Sequence, residues 1–217
     1  MTVRVIQIPS EKMDSNSYLL EENGHVIIID AASGEEVLRR ISEEGWQADY
    51  LFLTHEHFDH IWYLEELRQK LAIPVVACRL CSERVQDVKA NLSNIADLLY
   101  YFKTGIVLEG RSEAFTCGPA DVVYEDTYEM EWQGHKFEFQ RLPGHSPAST
   151  IITMDRDRVF SGDYLIFGED EITRLKDGST EDYEAFARPV LERIPAGTEI
   201  CPGHGEIYRM GDTPEQS

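Results

Sequence analysis

The chain has 217 residues, enough for one large domain whose core needs no disulfide bonds. Forty acidic residues oppose twenty basic ones, and the net charge of −20 disfavours binding to nucleic acid or to anionic membranes. No apolar run approaches the roughly 20 residues of a membrane-spanning helix. We therefore expect a single folded domain over residues 1–217, without nucleic-acid or membrane binding.

The cysteines and the N-terminal residues indicate a compartment. The first ten residues lack the continuous apolar stretch of a secretory signal, so we expect a cytoplasmic protein. Four cysteines are too few for a disulfide framework in a chain of this length. Cys78 and Cys81 form a CxxC pattern, which alone could be half of a zinc site or a redox pair. Cys117 and Cys201 stand singly, so the other half of such a site is missing.

Strand patterns alternate with helix patterns along the first half of the chain, without a linker or a repeat. The apolar runs predict strands over residues 3–8, 17–20, 25–30, 50–53 and 75–77. A helix is predicted over residues 34–44, and a second helix carries Leu64, Leu67 and Leu71. Apolar spacing over residues 82–102 predicts one more amphipathic helix and leaves a break near Asn91 open.

The second half predicts mainly strands, followed by one helix. The strands are predicted over residues 122–124, 128–132, 136–142, 149–154, 158–161 and 199–201. The helix is predicted over residues 180–194. Because strands and helices repeat in two similar halves, we expect two sheets packed face to face with helices outside.

Residues 54–60, THEHFDH, follow an apolar strand and place three imidazoles and a carboxylate close together. Such side chains are ligands for zinc, iron or manganese. The segment is not the HExxH zinc motif, because Asp59 stands four residues after His55. The alternation of His55, His57 and Asp59 instead predicts an extended loop with these side chains on one side, after which His60 begins a helix.

Three more strand ends carry similar residues. The PGH sequences at 143–145 and 202–204 place His145 and His204 after a glycine, and SGD at 161–163 places Asp163 in an equivalent position. A glycine permits the sharp turn that lifts the next side chain off a strand end. A single histidine of this kind is more often an ordinary surface or core residue. Taken together and in this order, the four motifs predict a metal site.

With these motifs the sequence resembles the metallo-β-lactamase superfamily and, within it, the glyoxalase II-like hydrolases. The resemblance extends from the strand NSYL at residues 16–19 to PGHG at residues 202–205. It implies an α/β fold of four αββα layers, with two mixed sheets face to face and helices outside. It also implies a site for two metal ions at one edge of the paired sheets.

The resemblance assigns a role to each motif. The implied ligands are His55, His57 and His145 for the first metal ion, Asp59, His60 and His204 for the second, and Asp163 as the bridge. We expect Zn²⁺, with iron or manganese as alternatives. Two such ions about 3.5–4 Å apart lower the pKa of a shared water and polarise a carbonyl. Asp59 can then orient the nucleophile and relay its proton to the leaving group, which makes it the catalytic residue.

Departures from the family pattern separate its members. Secreted class B β-lactamases generally carry Cys or Ser at the position of Asp163 and have a signal peptide. Flavodiiron proteins place a carboxylate at the position of His57, and nuclease members are usually longer. Glyoxalase II adds a helical domain that grips glutathione. With few residues after His204, we expect that grip to be absent here or rebuilt from elsewhere.

Other residues are candidates for binding the substrate. Residues 91–117 could form a lid, in which Tyr100, Tyr101 and Phe102 cover the metals, although these rings could equally pack in the core. Arg174 and Lys176 could hold a substrate carboxylate, or they could be a solvated basic pair. Glu56 is expected to face away from the metals in a structural role.

The leading hypothesis is a binuclear metallohydrolase that opens a thioester or another activated ester in a small-molecule substrate. A lactonase with the same site is the nearest alternative. A persulfide dioxygenase-like oxidoreductase would instead bind one iron through His55 or His57, His145 and Asp163, and would consume oxygen. A metal-holding interaction module without turnover is the weakest alternative. The sequence leaves the oligomeric state open and allows a homodimer.

Overall fold

The computed structural model describes residues 3–107 and 112–212. The chain forms two compact units over these residues. Unit 1 is Met1–Ala77 with Cys81–Val123, and unit 2 is Cys78–Leu80 with Tyr124–Ser217. Within the described residues, every helix is too short or too polar to cross a membrane.

The first half of the chain forms a mixed sheet of six strands that are neighbours in chain order. The strands are β1 (Arg4–Pro9), β2 (Asn16–Glu22), β3 (His25–Ile29), β4 (Gln47–Phe52), β5 (Val75–Cys78) and β6 (Val122–Tyr124). β2 runs antiparallel to β1 and β3, whereas β3, β4 and β5 are parallel. Ile27, Ile28 and Ile29 are at most 1% exposed, which explains the unbroken apolar run of β3.

Within residues 3–107 and 112–124, five α-helices accompany this sheet in the sequence. They are α1 (Glu35–Glu44), α2 (Phe58–Ile61), α3 (Leu64–Leu71), α4 (Arg79–Arg84) and α5 (Ala96–Thr104). Helix α1 buries Val37 and Ile41 and ends at Gly45, whose φ of 67° lies in the left-handed region. The helix predicted over residues 34–44 and the helix that carries Leu64 are therefore confirmed.

The helix predicted over residues 82–102 is interrupted. Helix α4 ends at Arg84, a 3-10 turn covers Ser93–Ile95, and α5 begins only at Ala96. The side chain of Asn91 explains the interruption, because its amide donates to the carbonyl of Phe115 at 2.9 Å and its oxygen accepts from the N–H of Ser93 at 2.9 Å. These bonds replace helical ones. The break near Asn91 is confirmed, and the continuous helix is wrong.

Unit 2 contains a second mixed sheet of six strands, again neighbours in chain order. The strands are β7 (Thr127–Trp132), β8 (His135–Arg141), β9 (Thr150–Met154), β10 (Arg158–Gly162), β11 (Glu199–Pro202) and β12 (Tyr208–Arg209). β10 and β11 are parallel, and the other neighbours are antiparallel. The two mixed sheets confirm the predicted fold class, while β12 is a strand that the sequence patterns did not indicate.

The helical segment of unit 2 is irregular. Helix α6 (Thr180–Asp182) and helix α7 (Arg188–Leu191) flank a π-helical turn, Tyr183–Ala187. Pro189 has no N–H to donate to the preceding turn, which explains the local change of helix type. The helix predicted over residues 180–194 is thus shorter and less regular than expected. Its Ala187 and Leu191 pack with Leu142, Tyr164 and Ile200 in the core of the unit.

Candidate functional site

His55 and His57 lie on an extended loop between β4 and α2 in unit 1. They are 1% and 2% exposed, and their rings meet edge to face with centroids 4.7 Å apart. A ring nitrogen of each lies within 4.8 Å of a ring nitrogen of the other. Glu56, between them, pairs at 2.5 Å with Nε of Arg84. The extended loop and the structural role of Glu56 agree with the prediction.

Asp59 and His60 follow in helix α2. The helix begins at Phe58, so Asp59 lies in its first turn and not in the extended loop that the alternating pattern predicts. This part of the prediction is wrong, because the chain turns helical two residues earlier than expected. The two side chains still meet, since Nε2 of His60 lies 3.8 Å from Oδ2 of Asp59. A nitrogen of His60 also lies within 4.8 Å of one of His55.

Asp30, just after the end of β3, orients two histidines of unit 1, His55 and His60. Its Oδ2 atom lies 3.0 Å from Nδ1 of His60 and accepts a hydrogen bond from Oγ1 of Thr54 at 2.7 Å. Thr54 Oγ1 in turn lies 3.0 Å from Nδ1 of His55. Asp30, Thr54, His55 and His60 are all at most 2% exposed. One buried carboxylate therefore contacts one imidazole directly and a second through a hydroxyl group.

These contacts decide which nitrogen of each ring carries the proton. A carboxylate only accepts, so Nδ1 of His60 is the protonated nitrogen. The single hydroxyl proton of Thr54 points to Asp30, so Oγ1 accepts from Nδ1 of His55. In both rings Nε2 then carries the lone pair that a metal ion requires. Ser15 adds a further restraint, because its Oγ donates to Oδ2 of Asp59 at 2.7 Å.

His145, Asp163 and His204 of unit 2 lie after the ends of three different strands, β8, β10 and β11, as the sequence predicts. Oδ2 of Asp163 lies 3.3 Å from Nε2 of His145 and 3.5 Å from Nε2 of His204. The three side chains are 1%, 8% and 15% exposed, in the order His145, Asp163, His204. The structure thus gathers the predicted ligands of each unit into one group.

Backbone groups and Tyr164 orient His145. Its Nδ1 lies 2.7 Å from the carbonyl oxygen of Ile172, which can only accept, so Nδ1 carries the proton and Nε2 the lone pair. The hydroxyl of Tyr164 accepts from the N–H of His145 at 3.0 Å and donates to the carbonyl of Leu142 at 2.8 Å. A Cβ atom at Gly144 would approach the Tyr164 hydroxyl to 2.7 Å. Glycine is required there because the two groups lie so close.

The donor atoms of both groups fit divalent metal ions. Nε2 atoms with fixed lone pairs and carboxylate oxygens are the ligand types of zinc, iron and manganese. Each group combines imidazole nitrogens with a carboxylate in buried surroundings, where a divalent cation offsets the cost of a buried negative charge. The second contacts from Asp30 and from the Ile172 carbonyl are typical of histidines that bind metals.

The candidate substrate residues lie at the surface. Tyr101 and Phe102 of α5 are 46% and 72% exposed, which excludes core packing for these two, whereas Tyr100 is half-buried. The predicted lid over residues 91–117 includes residues 108–111, which lie outside the described residues. Arg174 and Lys176 are exposed, and Nζ of Lys176 pairs with Asp177 at 2.7 Å. Both basic side chains therefore lie in solvent.

Sequence patterns missed the residues that orient the ligands. Asp30 gave a usable signal, since it is the first carboxylate after a buried strand, as Asp163 is. Ser15 and Thr54 are small polar residues beside apolar strands and gave a weaker signal. Ile172 acts through its carbonyl oxygen, which every residue has, so its side chain gives no indication of this role in the sequence.

Comparison with known proteins gives one family. The family model for the metallo-beta-lactamase superfamily matches residues 11–204. The probable metallo-hydrolase YqgX of Bacillus subtilis is 30% identical over 201 residues, which are 92% of this chain and 89% of that protein. A hydroxyacylglutathione hydrolase of Klebsiella pneumoniae is 27% identical over 203 residues, 93% of this chain but only 66% of that enzyme. The crystal structure of the BLEG-1 B3 metallo-beta-lactamase superposes with a TM-score of 0.80 at 25% identity, covering 96% of this chain and 95% of that one.

Proposed function

The chain belongs to the metallo-beta-lactamase superfamily of metal-dependent hydrolases, and we propose that it hydrolyses a thioester or another activated ester with two divalent metal ions. The observation that carries this proposal is the hydrogen-bonding pattern of His55, His60 and His145. Each ring is held through Nδ1, which leaves Nε2 for a metal ion. Histidines that serve only packing have no need of a shared orientation.

The proposed ligand set combines the two groups. It consists of His55, His57 and His145 for one ion, Asp59, His60 and His204 for the other, and Asp163 as the bridge. The contact of Oδ2 of Asp163 with two imidazole Nε2 atoms supports the bridging role. We propose Zn²⁺ as the native ion, and iron or manganese also suit this mixture of nitrogen and oxygen donors.

The residues of the chain contribute orientation and proton transfer. When bound, divalent ions lower the pKa of water and polarise a carbonyl group. Asp59 is proposed to accept the proton of the attacking water and to pass it to the leaving group. Ser15 donates to Oδ2 of Asp59 at 2.7 Å and so restrains this carboxylate. Asp30 keeps His55 and His60 in one tautomer throughout.

The choice of a thioester is supported by the likeness to a hydroxyacylglutathione hydrolase, of whose length this chain spans just under two thirds. We propose that the thiol portion is recognised by this chain's own residues. Residence in the cytoplasm is part of the proposal, and the four cysteine side chains, all buried as thiols, suit a reducing compartment.

The test combines metal content with substrate panels. Protein expressed without added metal is analysed by mass spectrometry for metals and assayed with thioesters, lactones and β-lactams. We expect two metal equivalents and the highest kcat/KM for a thioester. Asp163→Ala and His57→Ala should lose metal and at least about 100-fold in activity. Asp155→Ala is the control, since its carboxylate pairs with His135 on a turn of unit 2.

Each alternative gives a different result. Preference for lactones would make the protein a lactonase with the same ligands. One iron per chain, together with oxygen consumption when a persulfide is the substrate, would contradict the hydrolase proposal and identify an oxygenase. A fully loaded and fully active Asp163→Ala variant would remove Asp163 from the ligand set.

A further inference from the structure

Leu165, two residues after Asp163, has an unusual backbone conformation. Its φ of 57° lies in the left-handed region, which branched and bulky residues rarely adopt and which costs free energy. Its side chain packs against the core cluster that contains Leu142 and Tyr164. Such a conformation persists only where the surroundings hold the residue in place, and both polar groups of its backbone are in fact held.

Glu171 holds the amide side of Leu165. Its Oε1 accepts from the Leu165 N–H at 3.1 Å, so the side chain closes the loop that runs from Asp163 to Ile172. The next residue along the chain is Ile172, whose carbonyl oxygen fixes Nδ1 of His145 at 2.7 Å. The contact between Glu171 and Leu165 therefore connects the two ends of a loop that carries one proposed ligand and orients a second.

Tyr208 holds the carbonyl side of Leu165. Its hydroxyl donates to the Leu165 carbonyl oxygen at 2.9 Å, and its ring packs on Phe167 with centroids 4.8 Å apart. Tyr208 lies in β12, where it pairs with Ile200 of β11, and His204 lies between these two strands. Through Tyr208 the same loop is fastened to the hairpin that carries the third proposed ligand of unit 2.

We propose that Glu171 and Tyr208 are positioning residues that clamp Leu165 and so set the places of Asp163, His145 and His204. This inference rests on the ligand set of the proposed function. Neither side chain is a ligand itself. Each acts on one of the two peptide groups that flank Leu165, and the rigidity of these two groups fixes the ligand distances, on which metal affinity depends.

The test measures zinc affinity, by competition with a chromophoric chelator, together with the visible spectrum of the cobalt-substituted protein. Glu171→Met removes the acceptor and keeps the volume, so zinc affinity should fall about tenfold and the cobalt bands should shift. Glu171→Gln keeps an oxygen acceptor and should restore both properties. Tyr208→Phe keeps the ring on Phe167 and should lower affinity by a smaller factor, about threefold.

Controls separate the clamp from general damage. Glu169→Met makes the same chemical change at an exposed position of the same loop and should bind zinc like the wild type. Thermal unfolding of the metal-free proteins identifies any variant that has lost its fold. If Glu171→Met is such a variant, the test rests on Tyr208→Phe instead. Because both side chains hold one residue, the double variant Glu171→Met/Tyr208→Phe should lose less than the product of the single losses.

The outcomes distinguish this inference from the proposed function. A wild-type protein that binds no zinc, iron or manganese contradicts the proposed function and the clamp with it. A wild type that binds zinc tightly, with Glu171→Met and Tyr208→Phe indistinguishable from it in affinity and in cobalt spectrum, contradicts the clamp alone. Equal losses in Glu171→Met and Glu169→Met would also contradict it, since the effect would then be one of charge.

Discussion

The candidate ligands of unit 1 are oriented by side chains, whereas those of unit 2 are oriented largely through the backbone. In unit 1 the Asp30 carboxylate contacts His60 and, through Thr54, His55. In unit 2 the carbonyl oxygen of Ile172 holds His145. His55 and His60 are close in sequence and share one orienting carboxylate, whereas in unit 2 the orienting contact of His145 comes from a peptide carbonyl. Single substitutions should therefore affect the two groups very differently.

Among the residues that orient the candidate ligands, the largest effect is expected for Asp30→Ala. This change removes the acceptor for Nδ1 of one ring and for the hydroxyl that serves the second, so both lose their fixed tautomer. Metal content and kcat/KM should fall, the latter about 100-fold. Metal analysis and steady-state kinetics on the best substrate check this prediction.

Two controls sharpen the same comparison. Asp49→Ala removes a carboxylate that pairs with the Nδ1 atom of His25 at 2.9 Å, outside the ligand group, and should leave metal content unchanged. Ile172→Ala keeps the carbonyl oxygen on His145 and should retain most of the metal. Equal losses in Asp30→Ala and Ile172→Ala would show that the proposed difference between the units is wrong.

Tyr164→Phe tests a side chain of unit 2 that holds the backbone of a proposed ligand. The change leaves the N–H of His145 and the carbonyl of Leu142 without their buried partner. The free energy of unfolding should fall by about 1–3 kcal/mol in urea titrations. Tyr128→Phe, whose ring stacks on Tyr124, should change it by less than about 0.5 kcal/mol. A similar loss of unfolding free energy in both variants would contradict the role of Tyr164 in holding the backbone of His145.

Stability should depend on pH through Glu171. Burial raises the pKa of this carboxyl from 4.5 to about 7 in the folded protein, and the negative charge of Asp163 adds to the effect. The folded state then holds a proton that the unfolded state releases above pH 4.5, so stability falls as the pH rises from about 4.5 to 7.

Glu171→Gln should remove this pH dependence. Urea unfolding of metal-free protein at pH 5 and pH 8 should show a loss of about 2 kcal/mol in the wild type, after discount for partial exposure, that the variant lacks. Glu169→Gln, on the same loop, should behave like the wild type. A variant that loses as much stability between the two pH values as the wild type would contradict the assignment to Glu171.

The smallest effect is expected at the exposed face of α5. Phe102→Ser should change the free energy of unfolding by less than about 0.5 kcal/mol, because the ring is 72% exposed. If the face contacts an apolar acyl group, KM should rise about threefold with kcat unchanged. Phe186→Ser, at 55% exposure in unit 2, is the control. An unchanged KM for Phe102→Ser would show that Phe102 does not contact the substrate.

How much the sequence predicts depends on whether a feature is local. The THEHFDH segment is predictable because its candidate ligands are adjacent, and the strand-end residues are predictable because glycines mark the turns. Asp30 and Ser15 are harder to predict, since they lie 30 and 44 residues from their partners. Periodicity cannot distinguish an apolar face that is buried from one that meets solvent. For this reason only the structure shows that the rings of α5 are exposed and that the helix is interrupted at Asn91.

The shared carboxylate of Asp30 also has a consequence for how such a site can change over evolutionary time. Two imidazoles depend on it, so a lineage that loses Asp30 loses both orientations in one mutational step, whereas a lineage that loses Thr54 releases His55 alone. Selection should therefore act more strongly on Asp30 than on Thr54 for as long as the two histidines are retained.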